Sequence, residues 1–375
     1  MTTIAERLES ALPVIAAGAD AADADAKFPT SSIEALATTG LLGLTLPPGA
    51  GGLGGSPSEL VDTLAKVAGE CGSTSMIYLM HLSAAMVVAA APTADGEAVL
   101  ADLARGDKLA TLAFSEKGSR SHFWAPVSRA VRTGDGVHID AHKSWVTSAS
   151  EADLYVVSTL APDASGPTES DLYLVDRVGT GISVAARFDG LGMRANDSAP
   201  VDLSVDVAES ARLGNNAAGF GLMMEVVLPW FSLGNAAVTL GLARRAIERA
   251  IEHVSGAKLE HLDSALADLP TIRAYVAKAW ADLVAHEAML RETARSVEQP
   301  GDSTVLAVLA TKAACNEAAL RVTETALRVT GGAGFSKQVG IDRPYRDARA
   351  GFVMAPTSDA LFDFAGRALC GMDLF

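Results

Sequence analysis

Residues 329–361 read VTGGAGFSKQVGIDRPYRDARAGFVMAPTSDAL, and no other stretch of the chain says more about its fold. Within it, Gly331–Gly334 predicts a turn where the main chain can lie close to a bound molecule, because its glycines have no Cβ. Such a turn is weak evidence for a binding site by itself, since many helices end in glycine. The RDAR run at 346–349 predicts Arg–Asp pairs that lock a loop. The stretch then reaches Ala355, whose meaning depends on the rest of the chain.

The bulk composition is that of an ordinary globular protein with room for two or three domains. The chain has 375 residues, of which 49% are hydrophobic and 20% are charged. Its formal net charge of −15 excludes an extended nucleic-acid surface, which needs basic residues to neutralise phosphates. A local basic cluster for a phosphorylated ligand is still compatible with this charge.

The sequence predicts a cytoplasmic location. Its first residues lack the basic region and apolar core of a signal peptide. Cys71, Cys315 and Cys370 are odd in number and far apart, which indicates buried or free thiols rather than disulfides or a metal site. The most apolar stretch, residues 76–91, is too short to span a bilayer and contains His81. We therefore expect a buried helix there and no membrane partner.

Three zones of different periodicity predict an α+β protein with three domains. Residues 1–108 are rich in Ala and Leu at helical spacing, and a Gly- and Pro-rich loop breaks them at 46–55. Residues 109–215 carry short apolar or alternating runs, typical of a small β-barrel or sandwich. Residues 216–375 return to helical periodicity, which predicts a C-terminal helical bundle.

Several runs predict individual elements. Residues 131–139 predict two strands around a Thr-Gly-Asp-Gly turn, and residues 201–207 alternate with the period of a half-buried strand. Further strands are predicted at 154–160 and 172–175, and a long helix is predicted along 303–329. Two more helices are predicted from apolar stripes at helical spacing: Leu240, Ala243, Ile247, Ala250 and Val254 in the first, and Ile272, Val276, Ala279 and Leu283 in the second.

Six segments, taken in order, resemble the acyl-CoA dehydrogenase family over nearly the whole chain. Each is short and weak by itself, but their order and their domains agree with the pattern of the family. The resemblance implies an N-terminal helical domain, a middle β-domain, a C-terminal four-helix bundle, and FAD as the cofactor. The segments are GLTLPPGAGGLG at 43–54, FSEKGSRS at 114–121, KSWVTS at 143–148, GLGMR at 190–194, GGAGF at 331–335 and RDAR at 346–349.

The resemblance implies a flavin site in the β-domain, whose first segment begins at Phe114. Ser115 and Thr147 would donate hydroxyl hydrogens to ring heteroatoms, and Trp145 would form a stacking wall that excludes water. Without the resemblance, Trp145 reads as a buried aromatic of the β-domain. Ser121 would bind a phosphate of the cofactor or of the substrate, or else is an ordinary surface-loop serine.

Part of the cofactor site is also implied in the C-terminal domain. Gly331 and Gly332 would let the main chain approach the flavin, and Arg328 takes a position where the family has a polar flavin-contacting side chain. Thr357 is the threonine of the Gly-Thr pair that follows the acidic residue of the family. The Arg-x-x-Phe-Gly motif that binds the pyrophosphate is missing, and Lys258 is the cation nearest its place. As a point charge it predicts weaker FAD binding, or pyrophosphate contacts elsewhere.

The proton-abstracting carboxylate of the family is also missing. Its position aligns with Ala355, and the second position that some members use aligns with Phe231, followed by Ser232 in place of an arginine. A positioned general base contributes ~10²–10⁴ in rate, and alanine cannot supply it. The N–H at this position helps to bind the thioester carbonyl in the family, so Ala355 is still expected to bind substrate.

Three residues are candidates for a relocated base. Asp359 lies four residues after Ala355 and shares its face if the segment is helical. His81 lies in the helix before the β-domain, and Glu225 lies just before the C-terminal bundle. For each one the structural alternative is stronger: a solvated acid, a core histidine and a helix-flanking acid.

Three functions follow from this resemblance. The first is an FAD-dependent oxidoreductase that acts on an acyl-CoA or a related small substrate. The second is a flavin-dependent monooxygenase on the same fold, in which reduced flavin reacts with O₂ and needs no carboxylate at 355. The third is a non-catalytic subunit of a hetero-oligomeric dehydrogenase. The resemblance also implies a homodimer or homotetramer with flavin at the subunit interface.

Overall fold

The computed structural model of the chain describes residues 2–119 and 122–373, with the main chain alone at Leu259 and Leu262. The chain divides into two compact units. The predicted order of helices, then strands, then helices is confirmed. The first unit consists of Met1–Leu60, Met76–Gly190 and Arg194–Phe231, and the second of Val61–Ser75, Leu191–Met193 and Ser232–Phe375.

The N-terminal helices form where alanine and leucine recur at helical spacing. They are α1 (Ile4–Asp25), α2 (Thr30–Thr38), α3 (Pro57–Glu70), α4 (Gly72–Ala90) and α5 (Gly96–Arg105). A capping box starts α1: the Thr3 hydroxyl accepts from the Glu6 N–H, and the Glu6 carboxylate accepts from the Thr3 N–H. α4 contains most of the predicted buried stretch, and nearly all of its residues are buried.

Two four-stranded sheets form a sandwich in the middle of the chain. The strands are β1 (Ala110–Ala113), β2 (Val131–Thr133), β3 (Gly136–Val146), β4 (Leu154–Leu160), β5 (Ser170–Asp176), β6 (Ile182–Val184), β7 (Ala199–Ala208) and β8 (Arg212–Leu213). One sheet has the order β1-β4-β5-β8 and the other β2-β3-β7-β6. Side chains from both sheets, such as Ile139, Tyr155 and Leu203, share one buried core. The strand predictions in this zone are confirmed.

The C-terminal part of the chain is helical, with one short hairpin. Its elements are α6 (Gly219–Leu222), α7 (Leu228–Gly256), β9 (Lys258–Leu259), β10 (Ser264–Ala265), α8 (Pro270–Glu298), α9 (Thr304–Phe335), α10 (Asp342–Val353) and α11 (Ser358–Leu369). The predicted stripe from Leu240 to Val254 is buried along α7. α9 packs against α8, α10 and α11. It runs beyond the predicted turn, with non-helical dihedrals at Gly331 (φ 56°, ψ −137°).

Two helical segments are long and apolar enough to cross a membrane by length and composition. They are Gly72–Ala90 and Gly219–Gly256, and 78% and 83% of their most apolar windows are buried within the protein. Such burial is typical of the core helices of a globular protein, so the apolar character of both helices is explained by packing.

Candidate functional site

An exposed tryptophan marks a candidate site in the β-sandwich. Trp145 lies near the end of β3, where the pairing with β7 shifts register between Lys143 and Val146. Its φ of +55° is in the left-handed region, which is unusual for a bulky residue. The indole is 63% exposed and stacks on Phe188, with ring centroids 3.9 Å apart. The interpretation as a buried aromatic is therefore wrong, and the exposed indole is suited to packing against a flavin.

Two hydroxyl residues predicted to face the flavin differ in exposure. Ser115 is partly exposed, and its carbonyl accepts from the Ser144 N–H at 2.8 Å, which ties the segment after β1 to β3. Thr147 is buried, and its hydroxyl oxygen lies 3.4 Å from that of Ser198. An exposed indole, a partly exposed hydroxyl and a part-buried hydroxyl pair in one unit are residue types that suit the face and the edge of a flavin ring.

The other two predicted residues of this segment add less. Phe114 is buried and stacks nearly parallel to Phe123, with centroids 6.2 Å apart. Its side chain therefore belongs to the protein core, and its main chain alone can meet a ligand. Ser121, predicted to bind a phosphate, lies outside the described residues.

A buried ion pair holds this segment against the sheet. The Lys143 ammonium donates to Glu116 at 2.6 Å and to the Ser158 carbonyl at 2.5 Å. Glu116 also accepts from the N–H groups of Val127 and Ser128, both at 2.7 Å. Burial lowers the pKa of Lys143. Burial also raises the pKa of Glu116, but the Lys143 charge and the hydrogen bonds from Lys143 and Ser128 outweigh it, so the pKa of Glu116 is below its usual value. The Glu116 carboxylate therefore favours the charged form of Lys143 against burial, and both groups have hydrogen-bond partners.

The predicted cofactor residues on α9 lie on its exposed side. The Arg328 guanidinium is exposed and lies over the Tyr275 ring, 5.5 Å from the centroid. A side chain at Gly331 or Gly332 would meet nothing within 4 Å, so the space there is open. Gly331 is needed for its positive φ rather than for close packing within the protein. An exposed cation beside open main chain is compatible with a phosphate-bearing cofactor.

The segment Met354–Thr357 links α10 to α11 and carries the position of the missing carboxylate. Met354 is extended, and the Ala355–Pro356 peptide is cis. The Thr357 hydroxyl accepts from the Ala360 N–H at 3.4 Å and caps α11, so this side chain has a structural role besides any contact with the cofactor. Ala355 is partly exposed, and among the described residues none accepts a hydrogen bond from its N–H.

A buried lysine lies under this segment. Lys312, on α9, is fully buried, and its Nζ donates to the Met354 carbonyl at 3.2 Å and to the Pro356 carbonyl at 2.8 Å. These two carbonyls flank Ala355 on either side. Burial lowers the pKa of Lys312 to about 7. Through its two hydrogen bonds, the amine anchors the main chain on both sides of Ala355.

An amide network continues this anchor through the second unit. The Asn316 side chain donates to Asn235 Oδ1 and to the Gly351 carbonyl, both at 3.0 Å, and the Thr239 hydroxyl donates to Asn316 Oδ1 at 2.8 Å. A Cβ at Gly351 would lie 2.3 Å from Thr239 Cγ2, so glycine is required at this crossing. The network joins α7, α9 and α10 just before Met354, to whose sulfur Asn235 donates at 3.5 Å.

Neither acidic candidate for a relocated base shares a helical face with Ala355. Asp359 is exposed in the first turn of α11, but the segment that contains Ala355 is not helical. The premise that the two residues share a helical face is therefore wrong. Glu225 is exposed on the turn before α7. Phe231, at the alternative position of the base, is buried beside buried Ser232.

His81 is a core histidine. It is fully buried on α4, its Nε2 lies 3.2 Å from the Leu42 carbonyl, and its Nδ1 accepts from the Ala110 N–H at 3.1 Å. These partners require the neutral tautomer protonated at Nε2. Burial lowers the pKa of His81 to about 4. Both ring nitrogens are engaged by the main chain, which supports the structural interpretation over the catalytic one.

The RDAR run at 346–349 is structural. Asp347 is buried, and its Oδ1 accepts from the Met193 N–H at 2.6 Å. A Cβ at Gly192 would lie 2.5 Å from the Arg346 carbonyl oxygen, so the GLGMR segment can approach α10 only as glycine. Arg346 pairs with Asp342 at 3.1 Å. An Arg–Asp pair is present as predicted, but the run lies in the helix α10 and not in a loop.

Family comparisons agree with the resemblance seen in the sequence. Models of the acyl-CoA dehydrogenase N-terminal, middle and C-terminal domains match residues 9–107, 111–205 and 217–369. The chain belongs to the acyl-CoA dehydrogenase family. It is a flavoenzyme of a family that normally binds FAD and acts on substrates of the acyl-CoA type.

Individual relatives resemble the chain over most of its length. The mitochondrial short-chain specific acyl-CoA dehydrogenase of Bos taurus is 25% identical over 348 residues, which cover 90% of this chain and 82% of the relative. The 3-sulfinopropanoyl-CoA desulfinase of Paraburkholderia xenovorans is 26% identical over 370 residues, which cover 97% and 94%. The structure of butyryl-CoA dehydrogenase from Megasphaera elsdenii has a TM-score of 0.91 at 21% identity, with 99% of each chain covered. This likeness shows the fold.

Two buried charged residues that hold the main chain of the site, Lys312 and Glu116, were not predicted from the sequence. Lys312 was not singled out, although it falls on the same helical stripe as Val308, Cys315 and Ala319, all of which are buried. A lysine in register with a buried stripe is a detectable signal, because a lysine is almost never fully buried without a specific partner. Glu116 lies in the segment FSEKGSRS, but its pairing with Lys143 cannot be seen from the sequence.

Proposed function

We propose that the protein is an FAD-dependent oxidoreductase that acts on an acyl thioester, whose α-proton is lost slowly to water because position 355 has no carboxylate. The observation that carries this proposal is the segment Met354–Thr357. Its main chain is anchored by Lys312 and capped at α11, while the side chain at the carboxylate position is a methyl group. This held main chain supports the binding of a thioester without the base.

Each side chain has a stated role in this proposal. With a flavin bound, Trp145 would pack on its ring and exclude water, and Ser115 and Thr147 would donate to its polar edge. Arg328 contributes positive charge toward a phosphate. The Ala355 N–H donates to the thioester carbonyl, which lowers the pKa of the neighbouring carbon acid. A bound flavin supplies the hydride acceptor.

The names of the relatives support the choice of substrate class. The bovine relative is named for short-chain acyl-CoA dehydrogenation, and the Paraburkholderia relative is named for a desulfinase reaction on 3-sulfinopropanoyl-CoA. We infer an acyl-CoA substrate for this chain, without a commitment to its length. We also propose, from the sequence, a cytoplasmic homodimer or homotetramer with FAD at the subunit interface.

The first experiment restores the carboxylate with Ala355→Glu and compares it with Ala355→Gln, which has a similar size but no base. Flavin reduction by butyryl-CoA is followed anaerobically in a stopped-flow spectrometer. We expect slow reduction in the parent protein and in the Gln variant, and an increase of ~10²–10⁴ in the Glu variant. Equal rates for the Glu and Gln variants would contradict the assignment of position 355. A purified protein that holds no FAD or FMN, even after reconstitution, would remove the proposal altogether.

A monooxygenase reaction is the second candidate, and it is favoured by the absence of a carboxylate at both Ala355 and Phe231. The reaction of reduced flavin with O₂ requires no α-proton base. Substrate-dependent O₂ consumption with a flavin reductase would favour it, whereas anaerobic bleaching of the flavin by an acyl-CoA would exclude it. A chain that is inactive alone and gains flavin only with a second subunit would instead indicate the non-catalytic role.

A further inference from the structure

The main chain around Ala355 has a defined direction because of Lys312. The Lys312 Nζ donates to the Met354 carbonyl, so this carbonyl points toward α9. The one cis bond in the described chain is Ala355–Pro356, so the Met354–Ala355 peptide is trans. In a trans peptide the C=O and the N–H point in opposite directions. The Ala355 N–H therefore points away from Lys312 and α9.

The second contact fixes this arrangement from the other side. The Lys312 Nζ also donates to the Pro356 carbonyl, at 2.8 Å. With carbonyls on both sides of Ala355 held by one buried amine, rotation of the intervening peptide would cost a buried hydrogen bond. The Ala355 N–H is thus presented in one direction, with no acceptor among the described residues.

We propose that Lys312 is a positioning residue that presents the Ala355 N–H to the carbonyl oxygen of the acyl thioester. This inference rests on the proposed function and names how substrate is recognised within it. Two of the contacts that Lys312 makes are with main-chain carbonyls, which a side chain at 355 does not alter.

The amine can strengthen this hydrogen bond as well as aim it. A donor on the Met354 carbonyl polarises the Met354–Ala355 peptide, and a polarised peptide is a better N–H donor, because hydrogen bonds in a chain reinforce one another. The thioester oxygen gains electron density when the α-proton leaves, so it profits from such a donor. The pKa of Lys312, lowered by burial to about 7, leaves a large share of the amine protonated at neutral pH.

The test uses the flavin-loaded protein and butyryl-CoA labelled with ¹³C at its carbonyl. Binding is measured anaerobically from the perturbation of the flavin spectrum, and the labelled carbonyl stretch is measured by difference infrared spectroscopy. For Lys312→Met we expect the dissociation constant to rise about tenfold, the equivalent of one hydrogen bond. We also expect the downshift of the carbonyl stretch to shrink, while flavin content stays at the parent level.

Two control variants separate positioning from general weakening of the fold. Asn316→Leu disrupts the neighbouring network but leaves both Lys312 contacts, and it should lower stability without moving the carbonyl stretch. Lys278→Met removes an exposed lysine of α8 and should change neither quantity. Lys312→Gln, which keeps an N–H donor, is measured too and should retain more of the downshift than the Met variant. It also serves if Lys312→Met does not fold.

The outcomes distinguish this inference from the proposed function. Suppose that the parent protein binds butyryl-CoA with a downshifted carbonyl stretch. If Lys312→Met then shows the same stretch and the same affinity, the proposed role of Lys312 is wrong and the proposed substrate class stands. Lys312→Gln is used for this comparison if Lys312→Met does not fold. If the parent holds flavin but neither butyryl-CoA nor a longer acyl-CoA perturbs its spectrum, the proposed function fails, and with it the presentation to a thioester. A downshift of the carbonyl stretch that is reduced in Lys312→Met, but not in Lys278→Met or Asn316→Leu, supports the inference.

Discussion

Lys143 and Lys312 are both buried, one in each compact unit, but they have different partners. Lys143 is paired with the Glu116 carboxylate, whereas the described contacts of Lys312 are with two main-chain carbonyls. Burial lowers the pKa of both amines, and the Glu116 charge opposes the effect on Lys143. The first lysine is a fixed charge of the scaffold, and the second is an amine that can lose its proton near neutral pH. A carboxylate beside a buried amine opposes the lowering of its pKa, as Glu116 does for Lys143.

The largest effect that we expect comes from removing the paired lysine. Lys143→Met leaves Glu116 buried without its counter-ion, which should lower the free energy of unfolding by ~3–5 kcal/mol. Urea denaturation at pH 7 measures this loss. The double variant Lys143→Met, Glu116→Gln should recover a large part of it, because no charge is then stranded. A double variant as unstable as the single one would show that the pair contributes through packing instead.

Removing the other lysine should give an effect that depends on pH. The folded pKa of Lys312 is about 7, and an unfolded lysine has a pKa near 10.4, roughly the ordinary value. Between these values the unfolded chain binds the proton and the folded chain does not, so this amine makes stability rise with pH, by up to ~1.4 kcal/mol per pH unit.

Methionine cannot titrate, so Lys312→Met should lack this rise. Its stability relative to the parent should fall by about 2–3 kcal/mol between pH 7 and pH 9. Urea midpoints of both proteins at pH 7, 8 and 9 measure the difference, with Lys278→Met as the matched exposed control. A constant gap between parent and Lys312→Met would mean that Lys312 stays charged in the folded protein, like Lys143.

His81 sharpens the comparison, because its partners are also main-chain groups. Its folded pKa is about 4, and its unfolded pKa is roughly the ordinary 6.5. In this window the unfolded chain binds the proton first, so stability is lost as pH falls from 6.5 toward 4. We expect a loss of about 2 kcal/mol between pH 7 and pH 5 that is missing in His81→Gln. The same loss in both proteins would assign it to other groups.

The smallest effect is expected for a pair on the surface. Arg132 and Asp163 are joined at 2.6 Å, and both side chains are mostly exposed. Water and salt screen such a pair, so Arg132→Gln should leave the denaturation midpoint unchanged within error. This variant sets the baseline for the buried groups. A clear loss at low salt that disappears at high salt would show that the pair contributes more than its exposure indicates.

Much of the fold could be predicted because periodicity reports burial directly. The alternation of 201–207 became β7, with its valines and leucine buried, and the stripe from Leu240 to Val254 became the buried side of α7. The sheet orders could not be predicted, since β3 pairs with β7 across a long intervening stretch, and periodicity does not encode partners. The turn expected at Gly331 is a break inside α9, which resumes as far as Phe335.

The site was predictable only where its residues lie in short motifs. Trp145 and Ala355 were singled out by their alignment with the family, and the structure places the indole in solvent and the alanine in a held segment. The Lys312 contacts join α9 to a segment far along the chain, so they follow from tertiary packing. Asp359 was considered as a base because a helix was assumed through Ala355, and Pro356 prevents that helix from continuing.

The way in which Met354–Thr357 is held has an evolutionary consequence. Its anchors are the Lys312 contacts to two carbonyls and the Thr357 cap, and none of them uses the side chain at 355. Selection on the fold is therefore nearly blind to the residue in this position. A lineage can lose its acid here, keep a folded ligand-binding protein, and explore other reactions, and a later substitution can return the acid to a backbone that never changed.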